Sequence, residues 1–202
     1  MIGVQGATSQ DALELAQNMR EADRQELWAA ERRTPLEALQ FAMKASEVCR
    51  CLRVDGEVAM MWGIAPVFEQ TWTVWLLTAE VVDRKPVAFW RTLRSQLVEL
   101  LSFYPVLCNM VDARYLRALK ALSRVGFTVY PAEAYGEDGL PFHFVIIRRG
   151  AHADRTGAGA QSRSVKICEE RKTEEAKGRY LERGARPIRL RRHAQERLET
   201  ST

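Results

Sequence analysis

Apolar residues along the chain follow two different periods, and together they predict a strand–helix–strand–helix unit at its centre. Residues 71–82 form a nearly continuous apolar run rich in β-branched and aromatic side chains, which is typical of a strand covered on both faces. Apolar residues recur at helical spacing over residues 86–104 and again over 115–126, with a short apolar stretch at 106–111 between them. Because a helix joins the two strands, we expect them to pair in parallel through a right-handed crossover.

Two capping boxes predict helices in the N-terminal part of the chain. Thr8 is followed three residues later by Asp11, and Thr34 is followed in the same way by Glu37. At this spacing each side chain can bond the other residue's backbone N–H. Pro35 strengthens the second signal because its fixed φ suits the first turn of a helix. The residues expected to be buried are Leu13, Ala16 and Met19 in the first helix and Leu36, Leu39 and Met43 in the second.

Further strands are expected on both sides of these elements. The dipeptide Asp55–Gly56 suits a type I′ turn and predicts a hairpin. The charged residues 20–33 receive no element of their own, and Trp28 is the expected docking point of that segment. The order β-α-α-β-β-β-α-β-α-β-β predicts an α+β fold with a mixed sheet. The strands outside the central unit are expected at residues 2–6, 48–54, 58–64, 128–131 and 142–147.

Composition narrows the class of protein. The chain has 202 residues, of which 47% are hydrophobic, enough for one domain with a proper core. It contains no apolar run long enough for a membrane span and no segment typical of a secretory signal, so we expect it not to be secreted. The four cysteines fit no zinc spacing and are expected to be reduced thiols, and no metal site is predicted.

Charge divides the chain near Gly150. Residues 151–202 carry 13 Lys and Arg against 8 Asp and Glu, whereas residues 1–150 carry 17 against 18. We therefore expect a body at 1–149, a linker at 150–164 and a basic C-terminal extension at 165–202 that is disordered or helical on a partner. Contact with partner proteins, weak DNA contact and simple solvation all remain open for this tail. Its candidate contact residues are Arg186, Arg189, Arg191 and Arg192.

The predicted element order over residues 1–149 resembles the GNAT superfamily of N-acetyltransferases. The second central helix of that family packs under the acetyl-CoA arm and ends in a Gly-Phe pair. Ala118 and Gly126–Phe127 match the family pattern in this helix. Tyr115 stands where the family has an Asn, and Leu122 stands where many members have the Tyr that protonates the departing thiolate. Leucine has no proton to donate, so the resemblance predicts the fold more strongly than the chemistry.

The loop that binds phosphate in this family also lacks the residues that the family uses. GNAT enzymes carry Arg/Gln-x-x-Gly-x-Gly/Ala here, because backbone N–H groups at a helix start bind the CoA pyrophosphate. Counting from Arg84, Val87 and Phe89 occupy the glycine positions, Pro86 removes one N–H, and Asp83 adds a negative charge. Each lost charge-assisted contact is worth about 1–3 kcal/mol, so no cofactor is expected. If acetyl-CoA did bind, the candidate contacts would be Val82, Arg84, Lys85 and Val87.

Four sequence blocks resemble a narrower, GNAT-like family of tailed bacteriophages. They are VDGE at 54–57, WLLT at 75–78, LCNMVDAR at 107–114 and LPFHF at 140–144. That family includes an internal virion protein of short-tailed phages that is implicated in particle assembly. The resemblance implies a location in the virion or the host cytoplasm and implies other virion or assembly proteins as partners.

Two groups of residues are candidates for a site. Glu80, placed on the long strand, is a weak candidate for a general base. Asn109, Asp112 and Arg114 are candidates for a polar site at a strand end, and the alternative is that Asp112 caps the following helix. The preferred interpretation is a structural or assembly protein with a degenerate acetyltransferase fold. The alternatives are an active N-acetyltransferase with an atypical loop and a nucleic-acid-associated protein.

Overall fold

The computed structural model describes residues 2–68, 70–150 and 177–178, so the predicted linker and most of the tail lie outside the described residues. The helices are α1 (Ser9–Asn18), α2 (Glu21–Glu31), α3 (Pro35–Ala45), α4 (Pro86–Phe103) and α5 (Leu116–Val125), with a 3-10 turn at Glu80–Arg84. The strands are β1 (Ile2–Gly6), β2 (Val48–Val54), β3 (Glu57–Phe68), β4 (Thr71–Thr78), β5 (Val106–Asp112), β6 (Thr128–Tyr135) and β7 (Leu140–Arg148). They form one mixed sheet in the order β1-β2-β3-β4-β5-β7-β6.

The capping boxes and the hairpin turn predicted from the sequence are confirmed. Thr8 accepts a hydrogen bond from the Asp11 N–H and returns its own N–H to the Asp11 carboxylate, and Thr34 and Glu37 do the same. Asp55 and Gly56 both have positive φ, 52° and 93°, as a type I′ turn between β2 and β3 requires. Parallel pairing of β4 with β5 is also confirmed.

The predicted long strand at 71–82 is wrong at its end. β4 stops at Thr78, and the chain continues as the 3-10 turn Glu80–Arg84. Val81 and Val82 remain buried, at 5% and 3% exposure, although they lie in this turn. The continuous apolar run therefore indicates burial and not a strand, because apolar side chains can be buried in a compact turn as well as in a strand. Glu80 consequently lies at the exposed start of the turn and not on a strand.

The N-terminal region holds three helices where two were expected. The charged segment that received no element forms α2, which buries Asp23 and Ala29. In α1 the expected burial of Leu13 is wrong, because Leu13 is 39% exposed while Leu15 is fully buried. The buried face of this region follows the spacing Ala12, Leu15, Ala16 and Met19, which is one side of a helix.

The last hairpin is longer than predicted and is held against α2. β6 ends at Tyr135 and β7 begins at Leu140, so only a short turn separates them, and Gly136 in this turn has a φ of 75°. A Cβ atom at Gly136 would collide with the Ala29 carbonyl oxygen, so only glycine permits this approach. The turn therefore packs directly on the C-terminal half of α2.

Pairing between the two parallel strands is short. The register of β4 with β5 comprises only Trp72 with Leu107 and Thr73 with Cys108. Beyond these pairs, β4 continues beside β3 and β5 continues beside β7, so the two carboxyl ends diverge. Open α/β sheets bind ligands at such a point, outside the carboxyl ends of the strands. In the part of the chain that the structure describes, no helix is long and apolar enough to cross a bilayer.

Candidate functional site at the carboxyl ends of β4 and β5

Helix α2 lies across the carboxyl ends of both diverging strands. The backbone N–H of Arg20 donates to the Thr78 carbonyl oxygen at 3.0 Å. Thr78 in turn donates its N–H and its hydroxyl to Oδ2 of Asp23, at 3.3 and 2.6 Å. One helical turn further on, Oε1 of Glu26 accepts the Asp112 N–H at 2.9 Å. Two carboxyl groups of one helix thus occupy backbone N–H groups at the ends of β4 and β5.

Burial changes the acidity of both carboxyl groups. Asp23 is only 3% exposed, and burial raises its pKa to about 6 against the opposing effects of the Thr78 hydrogen bond and the Arg20 charge. Burial raises the pKa of Glu26 to about 8, and the nearby Asp23 and Asp112 carboxylates act in the same direction. Both carboxyl groups therefore hold a proton more readily than an exposed acid does. Strongly shifted pKa values are typical of functional sites but also of structural networks.

A ring of charged and polar side chains surrounds these two acids. The Tyr115 phenol interacts with both Asp23 and Arg20, and burial raises its pKa. Arg20 also forms an ion pair with Asp83 at 2.5 Å, and Arg117 reaches the same carboxylate at 3.4 Å. The ring therefore connects α2 to the turn after β4 and to the start of α5.

Asp112 and Arg114 come together, as the sequence suggested, but Asp112 does not cap α5. Its Oδ1 accepts the Arg114 N–H at 2.8 Å, and its carboxylate forms an ion pair with the Arg114 guanidinium at 2.5 Å. The residue before α5 is Tyr115, which makes no side-chain capping bond. The capping interpretation is therefore wrong, because a local turn at Asp112 uses the carboxylate first. Asn109 accepts a hydrogen bond from the adjacent Met110 N–H at 2.8 Å, so its amide oxygen is used locally.

The loop between β4 and α4 does not fit the phosphates of CoA. Arg84 forms an ion pair with Glu57 at 3.0 Å, and Lys85 forms one with Asp55 at 2.5 Å. Both carboxylates belong to the β2–β3 hairpin, so the only cations of the loop face two negative charges. α4 begins at Pro86, which has no N–H to offer an anion.

Val82 and Val87, the other candidate contacts for CoA in this loop, are no better placed to bind it. Val82 is buried at 3% exposure, so its side chain belongs to the core, whereas Val87 is 71% exposed. Phe89 packs against the core and lies edge-on to Trp90, with ring centroids 5.7 Å apart. Side chains thus fill positions at which close approach of a phosphate to the backbone would need glycine.

An open groove of about 410 Å³ lies on the outer side of α2, where neither Asp23 nor Glu26 lines it. Its walls include Trp28, Arg114 and Asp138. Trp28 is 50% exposed, with the Arg32 guanidinium 5.0 Å above its ring, and Arg32 also forms an ion pair with Asp138. Trp28, which the sequence suggested as a docking point, is therefore half exposed and forms one wall of this groove.

Sequence reasoning missed Asp23, Glu26 and Arg20. The spacing of Asp23 and Glu26 places them on one helical face. However, Glu21 and Gln25 belong to the same charged segment, and nothing in the sequence separates buried acids from exposed ones. Among the described residues, no group of three or more potential ligands could hold a metal ion.

Comparison with known proteins supports the fold. No family model and no curated protein matches the sequence. The structure is similar to AAC(6')-Ib in complex with ribostamycin and coenzyme A, with a TM-score of 0.59 and 13% identity over 78% of this chain and 99% of that chain. The ribosomal-protein-S18-alanine N-acetyltransferase from Escherichia coli matches with a TM-score of 0.51 and 16% identity, over 80% of this chain and 99% of that one. YncA from Salmonella typhimurium, solved with acetyl-CoA, matches with a TM-score of 0.55 and 14% identity, over 79% of this chain and 99% of that one.

These similarities define the fold. The chain has the GNAT fold, with a seven-stranded mixed sheet and helices arranged as in N-acetyltransferases. At 13–16% identity the likeness concerns the fold and leaves activity to be argued from the site.

Proposed function

We propose that this GNAT-fold protein does not use CoA and acts by binding other proteins in the assembly of a phage particle. The observation that carries the first part is the position of α2, whose Asp23 and Glu26 take the N–H groups of Thr78 and Asp112. The ligand-binding end of the parallel strand pair is thereby filled from within the chain. The altered phosphate loop supports the same conclusion independently.

The physical argument concerns buried polar groups. A cofactor arm between β4 and β5 would have to displace the carboxyl groups of α2 from the strand ends. Each buried group left without a partner costs about 1–3 kcal/mol, and at least two such groups are involved. The carboxylates of Asp55, Glu57 and Asp83 already pair with the cations around the loop, so those cations would have to give up their present partners to bind arriving phosphates.

The assembly role rests on the resemblance of four sequence blocks to the tailed-phage family. A GNAT fold without a usable cofactor site is consistent with a protein that has kept the fold as a rigid body for binding. The tail residues Arg186, Arg189, Arg191 and Arg192 remain proposed partner contacts and lie outside the described residues. Weak contact with DNA through the same residues is a subordinate proposal, for which steep salt dependence of DNA retention is the test.

Calorimetric titration with CoA and acetyl-CoA tests the first part. We expect no saturable binding tighter than about 1 mM. A second titration uses the variant Val87→Gly/Phe89→Gly, which restores both glycines of the loop. We expect this variant to remain unable to bind, because α2 still occupies the strand ends. Micromolar binding of CoA by the wild-type protein would overturn the proposal. Binding by the glycine variant alone would show that the loop side chains, and not α2, prevent CoA binding.

The assembly role has its own test. Quantitative mass spectrometry of assembly intermediates and mature particles should find the chain at a fixed copy number relative to the capsid protein. Absence from both kinds of particle would contradict the role, whatever the outcome of the titrations.

An active N-acetyltransferase that uses acetyl-CoA is the second candidate. The similarity to acetyltransferases, among them structures with CoA or acetyl-CoA, favours it, as does the raised pKa of the Glu26 carboxyl at the end of β5. A carboxyl group with a pKa of about 8 lies close to the range that suits general acid–base catalysis at neutral pH. Incubation of candidate amines with isotope-labelled acetyl-CoA, followed by mass spectrometry, tests it. Transfer that is lost in Glu26→Gln would establish this function, and no transfer to any amine would leave it without support.

A further inference from the structure

Helices α4 and α5 hold the most exposed large apolar side chains in the part of the chain that the structure describes. Four such residues are 61–73% exposed, and they are Val87, Val98 and Phe103 of α4 and Leu116 of α5. Exposed apolar residues that are scattered singly are normal on a soluble protein. Several of them on one side of the molecule indicate a surface that contacts another molecule.

Both helices lie on the same side of the sheet. β4 is parallel to β5, and β5 is parallel to β6 because both pair antiparallel with β7. In the order β4-β5-β7-β6 the two crossovers step in the same direction, so right-handed connections place α4 and α5 on one face of the sheet. Arg117 at the start of α5 also reaches Asp83, just before α4, at 3.4 Å. We call the exposed residues of 86–103 and 116–125 together the α4–α5 face.

Positive charge is concentrated on the α4–α5 face. Of the 17 Lys and Arg and the 18 Asp and Glu in residues 1–150, α4 and α5 hold five and one, so 12 and 17 remain elsewhere. The one acid, Glu99, pairs at 3.7 Å with Arg50 of β2. Four of the five cations are exposed and form no ion pair with any described residue, namely Arg91, Arg94, Lys120 and Arg124. The face is therefore cationic, whereas the rest of this part of the chain carries a net negative charge.

Cations and apolar side chains alternate along both helices instead of forming separate patches. One line along α4, with the spacing i, i+4, i+7 and i+11, consists of Val87, Arg91, Arg94 and Val98. On α5, Leu116 and Lys120 are four residues apart and lie on one side of the helix. Protein interfaces instead have an apolar centre that is depleted of charged residues, and the backbone of nucleic acids offers phosphates without an apolar layer. An anionic bilayer offers phosphates and acyl chains along the whole length of a helix that lies flat on it.

We propose that the α4–α5 face binds the surface of an anionic phospholipid bilayer. Its unpaired cations contact the lipid phosphates, and the long aliphatic stems of Arg and Lys let them do so while Val98 and Leu116 enter the boundary between headgroups and acyl chains. No spanning helix is needed, because both helices lie parallel to the bilayer surface. The proposal does not depend on the proposed function, since it requires neither the loss of CoA binding nor a protein partner.

Vesicle flotation of the full-length protein tests the role of the cations. We expect the protein to float with vesicles that contain phosphatidylglycerol but not with vesicles of phosphatidylcholine alone, and we expect the bound fraction to fall at high salt. Lys120→Glu should weaken binding about tenfold, because it replaces a cation of the face by an anion. The matched control Lys44→Glu makes the same change at an exposed residue of α3 and should bind as the wild type does. Absence of binding to either kind of vesicle, or an equal loss in both variants, would overturn the proposal.

A second pair of variants distinguishes a bilayer from other anionic partners. Leu116→Ser should weaken binding to the phosphatidylglycerol vesicles about threefold, because it removes an apolar side chain that the bilayer buries. Leu13→Ser, the same change on the exposed side of α1, is the control and should leave binding unchanged. Equal binding by both variants would contradict the insertion of apolar side chains. The wild type and Lys120→Glu are also titrated with a duplex DNA and with polyglutamate. Binding to either polyanion that Lys120→Glu abolishes, without binding to vesicles, would assign the face to nucleic acid or to an acidic protein and overturn the proposal.

Discussion

Helices α1 and α2 follow each other in the chain and both place buried acids against the sheet, but they do so by opposite electrostatic means. Asp11 of α1 is 1% exposed and pairs with Arg53 at 2.6 Å. Burial alone would raise its pKa, but the hydrogen bonds from Thr8 and Arg53 outweigh burial, so the pKa is lowered. Asp23 and Glu26 of α2 form no ion pair of this kind with any described residue, and their pKa values are raised.

This difference in pKa separates acids that stabilise the fold from acids that form part of the candidate site. An acid that caps its own helix and pairs with a cation stabilises the fold in its ionised form. An acid that is buried against strand ends, where nearby cations such as Arg20 and Arg114 only partly offset the effect of burial, contributes less to stability and is a candidate for a role in the site. The predictions below separate the two helices by stability and by pH, from the largest expected effect to the smallest.

Removal of the Asp11 side chain should have the largest effect. Asp11→Ala loses the capping box and the ion pair, and Arg53 keeps Glu14 and the Gly56 carbonyl oxygen as partners. We expect the free energy of unfolding in urea to fall by about 3 kcal/mol. The control Leu13→Ala, on the exposed side of the same helix, should cost much less. Equal losses in the two variants would contradict the role assigned to Asp11.

The pH dependence of stability should distinguish α2 from α1. The Glu26 pKa is raised from 4.5 to about 8, so the folded state holds a proton that the unfolded state releases above pH 4.5. The contribution of this group is therefore complete below pH 4.5 and is lost as pH rises towards 8. Between pH 6 and pH 8 the loss should amount to about 2 kcal/mol.

Urea titrations at several pH values measure this effect. The groups that face Glu26 are Asp23 on its own helix and Asp112 and Arg114 beside β5. Glu26→Gln keeps an acceptor for the Asp112 N–H and should remove the decline between pH 6 and pH 8. For Asp11, whose pKa is lowered, the sign is opposite: its contribution is present above pH 4 and is lost in acid. A wild-type decline that persists in Glu26→Gln would exclude Glu26 as its source.

Removal of Asp23 should cost less than removal of Asp11. Asp23→Ala leaves the buried N–H and hydroxyl of Thr78 without their acceptor, but it also relieves the desolvation of a carboxylate. We expect a net loss of about 1.5 kcal/mol in urea unfolding. Glu21→Ala, an exposed acid on the first turn of the same helix, is the matched control. A gain in stability would show that desolvation dominates and that the carboxylate is kept for binding.

The smallest effect is expected in the loop before α4. The Arg84 and Glu57 side chains are 66% and 57% exposed, so their ion pair is weakened by water and salt. Arg84→Ala should change the free energy of unfolding by less than about 0.5 kcal/mol. Urea titration at low and high salt measures this, with Lys85→Ala as a parallel case. A loss above 1 kcal/mol would mean that the loop is part of the folding core.

A large part of the fold could be predicted from the sequence because its signals are local. The capping boxes at Thr8 and Thr34 and the turn at Asp55–Gly56 each depend on residues within four positions of one another. The helices after Pro86 and before Gly126 follow from apolar spacing in the same way. The end of β4 could not be predicted, because Val81 and Val82 are buried in a turn and give the same apolar signal as a strand.

By itself, the sequence determined the order of most helices and strands, the hairpin turn, and the loss of the glycines and the Tyr that a GNAT enzyme would use. Only the tertiary structure decided that the charged segment 20–33 is a helix and that Asp23 and Glu26 close the ends of β4 and β5. The physical reason is that backbone N–H groups at strand ends can be satisfied by any acceptor that the fold brings near. Thr78 and Asp112 lie 55 and 86 positions from those acceptors, and no local pattern connects them.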